Sequence, residues 1–516
     1  MANRLRELLK RGLERDRASV ALTGADTSLT WAEVAERARR VASALVRDGV
    51  RAADRVVYLG KNDVRFVEFL FGCVLAGAVP TPLNWRLAPS ELAAIVTESG
   101  ATVLLVDGEV TGLVEALEAA VHRPLTVVTL GVHQRWPSYA AWCGRALDPG
   151  VPTDPGAVAV QLYTSGTTGR PKGAMFGEDN LRVLLEDISV AWGLSEADVS
   201  LAAMPLFHMG GLAWALAGLA RGARIVVVRE FVPDAVLDTM ANEGVTTAFF
   251  VPTMLAALCA VPETRTRAGG VRRLFYSGSP IGVSALSTAM ASFRCEFVQL
   301  YGLTEATGAF AQLSGHEHDP HGPRAHLLRS AGRPYPWVRV RIVDPKSERD
   351  VPAGSVGEIW TQSPQNLLGY WRQPEETARV LTAGGWLRTG DLGWIDAEGY
   401  LFLVDRLKDL VITGGENVLP AEVEDVLAAH PDVAEVAVIG VPDDHWGETV
   451  KAVVVPVAGA VLDPASVIGF ARKRLARFKC PTSVDVVEEL PRTATGKIRK
   501  PVLRERYWQH RDRRIH

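Results

Sequence analysis

The run Tyr163-Thr164-Ser165-Gly166-Thr167-Thr168-Gly169-Arg170-Pro171-Lys172-Gly173 holds four aliphatic hydroxyls, three glycines and two cations in eleven residues. Glycines let backbone N–H groups turn toward an anion, hydroxyls donate further hydrogen bonds, and Lys172 adds a mobile charge. A polyphosphate is the guest that such a loop suits. The spacing is not that of a Walker loop, because no Gly-Lys-Ser/Thr follows four residues after a first glycine. A polar surface turn would explain the glycines and hydroxyls but not the Arg-Pro-Lys-Gly ending. The apolar run Ala157 to Leu162 reads as a buried strand, so the loop leaves the end of a strand, where ligands sit in α/β sheets.

Further strings follow in the chain. Pro205-Leu206-Phe207-His208 sets an aromatic and a histidine after a strand; just beyond, Gly210 and Gly211 are expected to leave space in a pocket and Trp214 to add a bulky wall. Ser277-Gly278-Ser279-Pro280 and Gln299-Leu300-Tyr301-Gly302-Leu303-Thr304-Glu305 come next. Then stand Trp386-Leu387-Arg388-Thr389-Gly390-Asp391, Asp405-Arg406-Leu407-Lys408-Asp409 and Gly414-Gly415-Glu416-Asn417. Pro491-Arg492-Thr493-Ala494-Thr495-Gly496-Lys497 ends the series. Each string alone has a plain reading: a strand end, a core histidine, a solvated carboxylate, a surface lysine. In this order they resemble the adenylate-forming superfamily, which includes acyl-CoA synthetases, peptide-synthetase adenylation domains and luciferases. The resemblance covers nearly the whole chain and is nearest the acyl-CoA synthetase, or fatty-acid–CoA ligase, branch.

The resemblance implies roles residue by residue. Thr164, Ser165, Gly166, Thr167, Thr168, Gly169 and Lys172 hold the phosphates of ATP. Gly278, Ser279, Gln299, Tyr301 and Gly302 edge the adenine and acyl pockets, with Tyr301 stacked on the base. Thr304 contacts the phosphate region, and Glu305 with Thr164 holds Mg²⁺, which beside a triphosphate takes only one or two protein carboxylates. His208 walls the acyl pocket, where amino-acid-activating relatives carry Asp. Asp391 accepts the ribose diol and Arg406 backs it. Lys408 is the hinge, Lys497 the catalytic lysine, and Gly414 and Gly415 line a thiol tunnel for CoA. Two departures stand out: Gly177-Glu178-Asp179 replaces a usual Thr-His-Arg step, and Trp337 sits where a turn glycine is usual. Trp337 questions whether a turn with φ > 0 is kept there.

The elements that must position these residues alternate between two periodicities. Helical spacing over Thr30–Val50, with Thr30 as N-cap, precedes a strand at Arg55–Leu59 and a helix over Asp63–Gly77. Extended pieces at Val79–Leu83 and Thr102–Val106 flank a helix at Pro89–Glu98. The pattern resumes with helices at Glu178–Trp192, Gly211–Ala220 and Pro233–Glu243 between strands at Ser200–Ala203, Arg224–Val228 and Thr247–Val251. Such alternation predicts a layered α/β fold with a largely parallel sheet. From about Gly332 the closely spaced turns predict a β-rich subdomain, and beyond Asp405–Asp409 a small α+β unit. The expected domains are 1–407, carrying the ATP and acyl pockets, and 408–516, a mobile lid with the catalytic lysine and thiol-tunnel loop.

Composition bounds the function. The 516 residues exceed one ordinary core, and 47% hydrophobic with 22% charged residues is the balance of a soluble globular protein. A net charge of −3 steers nothing toward nucleic acid. The charged start excludes a signal peptide, and the longest apolar stretch, Phe66–Pro80, is too short for a transmembrane segment. Five scattered cysteines suit a reducing cytoplasm. The expected reaction is ATP-dependent activation of an apolar carboxylic acid, fatty or aryl, as acyl-AMP, then transfer to CoA. An amide bond synthetase, transfer to a carrier protein, and a catalytically silent nucleotide-binding protein are the alternatives, and a homodimer stays open.

Overall fold

The computed structural model describes residues 4–144, 158–164, 171–279, 281–413, 416–443, 445–493 and 496–508. Contacts divide the chain into two compact units, Met1–Leu328 with Pro334–Arg339 and Thr361–Leu387, and Arg329–Arg333 with Val340–Trp360 and Arg388–His516. The second unit therefore takes in much of the β-rich segment as well as the C-terminal residues, whereas the sequence places its boundary at 407/408.

In the first unit, one sheet runs Gly308–Leu313, Glu296–Leu303, Arg273–Tyr276, Thr247–Phe250, Val199–Ala202, Arg224–Val227, Val20–Thr23 and Ser28–Thr30. Its central strands are parallel, with helices in the crossovers. A second, all-parallel sheet orders Val79–Leu83, Arg55–Leu59, Val103–Val106 and Thr126–Thr129. These strands are mostly apolar and, apart from Thr126, buried, as in a parallel sheet covered on both faces. Leu201, Phe250, Leu274, Tyr276 and Phe297 pack one core; Val57, Leu92, Leu104 and Val127 pack the other. The helix Trp31–Arg47 starts at Thr30, whose side chain accepts from the Glu33 amide while Glu33 accepts from the Thr30 amide. This reciprocal cap satisfies two donors that a helix start leaves open.

The phosphate-loop strand belongs to neither parallel sheet. Val160–Thr164 pairs antiparallel with Lys172–Phe176, Thr164 opposite Lys172, and Gly369–Tyr370 adds to the far side of Lys172–Phe176. The loop therefore joins two strands of a small antiparallel sheet. A second difference lies at Glu178–Trp192, where the expected continuous helix is interrupted by a π-helical stretch, Val183–Ile188. The Ser189 hydroxyl there donates to the Leu185 carbonyl at 2.7 Å, an alternative partner for helix backbone.

In the second unit, Leu387–Ile395 pairs antiparallel with Leu401–Arg406, with Gly357–Gln362 on the other edge. A further sheet brings together Val411–Thr413, Val433–Asp443, Gly447–Pro456 and Ser483–Val486, with helices Pro420–Leu427 and Pro464–Arg472 beside it. Val438, Ala452, Val454 and Val467 form its core.

Candidate active site

In the first unit the phosphate-loop cation and the candidate metal carboxylate converge on one aromatic ring. Lys172 is 7% exposed, and a buried ammonium needs a partner. It finds the Glu376 carboxylate, from the first turn of helix Pro374–Val380, and lies 5.2 Å from the ring centroid of Tyr370. The Tyr370 hydroxyl donates to Glu305 Oε1 at 2.7 Å. Burial, with the Glu305 charge beside it, raises the Tyr370 pKa, so the phenol stays a proton donor. Pairing with Lys172 lowers the Glu376 pKa and keeps it ionised.

Glu305 sits in the short turn Thr304–Ala306, at the end of strand Glu296–Leu303. Thr307 closes the turn in the left-handed region, φ 52°. Gly302 is required just before it: a Cβ there would come within 1.8 Å of the Gly308 carbonyl oxygen, at the bulge between Tyr301 and Gly302. Tyr301 is buried edge-on against Phe310, ring centroids 4.7 Å apart. Gln299 lies on the same strand, its amide oxygen 3.2 Å from the Tyr276 hydroxyl. Tyr276 in turn meets His318 Nε2 at 2.9 Å, and burial pushes the His318 pKa down. Gly278 adopts φ 99°, and a Cβ there would meet Val251 at 3.0 Å, so the bend at Gly278–Ser279 admits no larger residue without strain.

His208 forms the N-cap position of helix Met209–Arg221, its ring 4.6 Å from that of Phe207. Contrary to the expectation from sequence, Gly211 does not open pocket space: a Cβ there would lie 2.3 Å from the Pro205 carbonyl oxygen, so the glycine serves close helix–loop approach. Trp214 is likewise a core residue, 1% exposed, its Nε1 donating to the Leu201 carbonyl. Trp337 does not occupy the left-handed region; it stacks on Tyr335 at 4.8 Å and donates to Gln365 Oε1 at 2.9 Å. That answers the turn question: the indole is held by contacts rather than by an unusual φ.

The second unit carries the remaining candidates. Asp391 is mostly buried, and the Arg406 guanidinium lies 2.9 Å from its Oδ1. Gly390, φ 69°, turns the strand just before Asp391, with its N–H on Glu358. Lys408 lies in the turn Leu407–Asp409; burial, then Arg406, lowers its pKa. Asp405 accepts from the Ala421 N–H at 2.8 Å, and Arg504 pairs with Asp409 at 2.8 Å. Lys497 is exposed and follows Gly496, φ 78°, in a turn where the Lys497 N–H donates to Thr493 Oγ1 at 3.1 Å. Arg492 clamps the same turn through the Gly496 carbonyl at 2.8 Å and Glu435 at 2.7 Å.

Ser165, Gly166, Thr167, Thr168 and Gly169, and Gly414 and Gly415, expected at the thiol tunnel, lie outside the described residues. Tyr370 and Glu376 were not among the sequence candidates; only the acidic first turn after Pro374 hinted at a charge there. Among the described residues no three His, Cys, Asp or Glu side chains gather as a metal cluster. The hard oxygens of Glu305 and Thr164 fit a Mg²⁺ that draws its other ligands from phosphates and water.

A buried lysine at the end of the Gly- and Thr-rich run, sharing one aromatic ring with Glu305 on an α/β unit followed by a smaller α+β unit, fits a nucleotide-using enzyme of the adenylate-forming class. The chain belongs to the AMP-binding enzyme family, in its acyl-CoA synthetase branch: residues 9–371 match that family and residues 422–497 its C-terminal domain. It is 40% identical over 95% of its length to the feruloyl-CoA synthase of Amycolatopsis sp, covering 96% of that protein. It is 38% identical to the fatty acid–[acyl-carrier-protein] ligase ScoC of Streptomyces coeruleorubidus, covering 95% of this chain and 93% of ScoC. An ATP-bound structure of MatB from Rhodopseudomonas palustris superposes with a TM-score of 0.88 at 33% identity, covering 98% of this chain and 99% of that one.

Proposed function

We propose that this protein is an ATP-dependent acid–CoA ligase acting on an apolar fatty or aryl carboxylic acid. The observation that carries the reading is the convergence of Lys172 and Glu305 on Tyr370, which sets a cation and a metal carboxylate side by side for one polyphosphate. A carboxylate is a poor acyl donor because its leaving group would be an oxide. Its oxygen attacks the α-phosphorus of ATP, the bond to the β-phosphate oxygen breaks, and pyrophosphate leaves. Two anions meet in that step, so preorganised cations dominate its catalysis. Mg²⁺ would supply charge neutralisation on the triphosphate, held by Glu305 and Thr164. Lys172 and the loop Thr164–Gly169 bind the phosphates. Tyr301, Gln299, Gly278, Ser279 and Gly302 bound the base, and Asp391 with Arg406 takes the ribose.

Lys497 is proposed as the cation of the first transition state, and Thr304 as a phosphate contact. His208 walls the acid; no carboxylate stands in its place for a substrate ammonium. In the second step the CoA thiol sulfur attacks the acyl carbonyl, the carbon–oxygen bond to AMP breaks, and the thiol proton passes to solvent. Lys408 is the proposed pivot between the steps, with Gly414 and Gly415 at the thiol. A turn there must release the Asp405–Ala421 hydrogen bond, which spans the pivot in sequence. The five cysteines are free thiols, which supports a cytoplasmic location. Among the described residues no helix is long and apolar enough to cross a membrane.

The likeness to ScoC favours one second reading, transfer to the pantetheine thiol of a carrier protein. Pyrophosphate release measured over a panel of fatty and aryl acids decides, with CoA, a holo-carrier protein, an amine, or no acceptor. Acid-dependent release with stoichiometric acyl-CoA is expected. Thioester only on the carrier would move the assignment to the second reading, and acid-independent release would end both.

A further inference from the structure

The segment 365–376 is bonded at one end to the Glu305 turn and at the other to the Lys172 strand. Gln365 Nε2 donates to the carbonyls of Ala306 and Ala309 at 2.7 and 2.9 Å, and the Thr307 hydroxyl donates to the Gln365 carbonyl. The Leu367 N–H reaches the Glu305 carbonyl at 2.7 Å. The chain then crosses to the Lys172–Phe176 strand: the Leu368 N–H donates to the Met175 carbonyl and the Trp371 N–H to the Gly173 carbonyl. Gly369 and Tyr370 stand opposite Met175 and Ala174. The Arg55 guanidinium covers Trp371 at 3.4 Å, and Glu376 completes the strap on the Lys172 ammonium. Tyr370, 5% exposed, stands at the crossing, its N–H on Thr377 Oγ1 at 2.8 Å.

A carboxylate on a flexible side chain offers two oxygens in any plane, and a metal ligand is worth most when that plane is fixed. The phenol fixes it here by occupying Glu305 Oε1, which leaves Oε2 for a cation. The same ring presents its face to Lys172, whose ammonium is attracted by the ring quadrupole. One side chain thus sets the separation of the cation and the carboxylate.

We propose that Tyr370 is a positioning residue that holds Glu305 and Lys172 as a fixed pair, orienting the Glu305 carboxylate toward the metal of a metal–nucleotide complex. The proposal rests on the reading of Glu305 as a Mg²⁺ ligand.

Binding of Mn²⁺ to the full chain in the presence of α,β-methylene-ATP, followed by electron paramagnetic resonance, tests it. Tyr370→Phe keeps the ring, and with it the packing and the face toward Lys172, and removes only the hydroxyl. It should weaken Mn²⁺ binding about tenfold or more, as loss of an outer hydrogen bond to a metal ligand does. Metal-free binding of the analogue should stay within about twofold, because the Lys172 face is intact. Glu305→Gln should lose at least as much, and the double variant should be no worse than Glu305→Gln, since both act through one group. Wild-type Mn²⁺ affinity in Tyr370→Phe, with affinity lost in Glu305→Gln, would overturn the positioning role alone. Unchanged affinity in Glu305→Gln would overturn the ligand reading beneath it.

Discussion

Asp391 and Arg406 face each other across neighbouring antiparallel strands, directly opposite in register, with 2.9 Å between guanidinium Nε and carboxylate Oδ1. The carboxylate side chain is 8% exposed and the guanidinium 44%, so the pair is open on the cation's side and adds little to stability. In the proposed ribose role, its value lies in fixing the Asp391 carboxylate for a diol.

Asp391→Asn should therefore leave the thermal midpoint nearly unchanged and weaken ATP. Charge-assisted hydrogen bonds are worth about 1.5–3 kcal/mol, so KM for ATP should rise roughly ten- to a hundredfold. The sharper readout is selectivity: the wild type should prefer ATP to 2′-deoxy-ATP, and the variant should lose that preference. A variant with the wild-type preference would remove Asp391 from the ribose.

Lys497→Ala should cripple adenylation and spare the thiol step. Lys497 is exposed on a turn fixed by Thr493 and Arg492, so its truncation costs the fold little. Loss of one preorganised charge in the first transition state is worth about 3–4 kcal/mol, or roughly 10²–10³ in rate. Thioester formation from supplied acyl-AMP should stay near wild type. Equal loss in both half-reactions would sink the assignment.

The depressed pKa of His318 makes stability depend on pH near neutrality. His318 Nδ1 faces the Ser314 carbonyl and Nε2 the Tyr276 hydroxyl, with the charges of Glu317, Glu296 and His316 nearby. Burial disfavours the imidazolium, so the folded pKa lies below the ordinary 6.5 and the unfolded chain binds the extra proton first. The contribution is present above pH 6.5 and lost as the pH falls through that value toward the folded pKa. His318→Gln should flatten the fall of the thermal midpoint between about pH 7.5 and 5.5, a window set by the ordinary His pKa. An identical slope in both proteins would contradict the sign.

Local pattern was legible where local physics decides. Arg55–Leu59 is the strand that its apolar run predicts, and the Thr30 cap starts its helix as read. The π-helical stretch at Val183–Ile188 was not legible, because the apolar periodicity there suits a continuous helix equally well. Nor was the partner of the phosphate-loop lysine: Glu376 is 204 residues from Lys172, and Tyr370 is 65 from Glu305. Those contacts arise from the pairing of Gly369–Tyr370 with Lys172–Phe176, a short strand pairing without a periodic signature. Gly211 misled for a related reason, since a glycine that admits a backbone carbonyl and one that opens a pocket read alike in a sequence.

The central claim is that the acid's own oxygen attacks the α-phosphorus. An accepted acid labelled with ¹⁸O in both carboxylate oxygens, incubated with ATP, Mg²⁺, CoA and enzyme, tests this directly by mass spectrometry. One labelled oxygen should appear in each AMP, one should remain in each acyl-CoA, and none should enter pyrophosphate. Unlabelled AMP accompanying acyl-CoA, or label recovered in inorganic phosphate, would contradict an acyl-adenylate route.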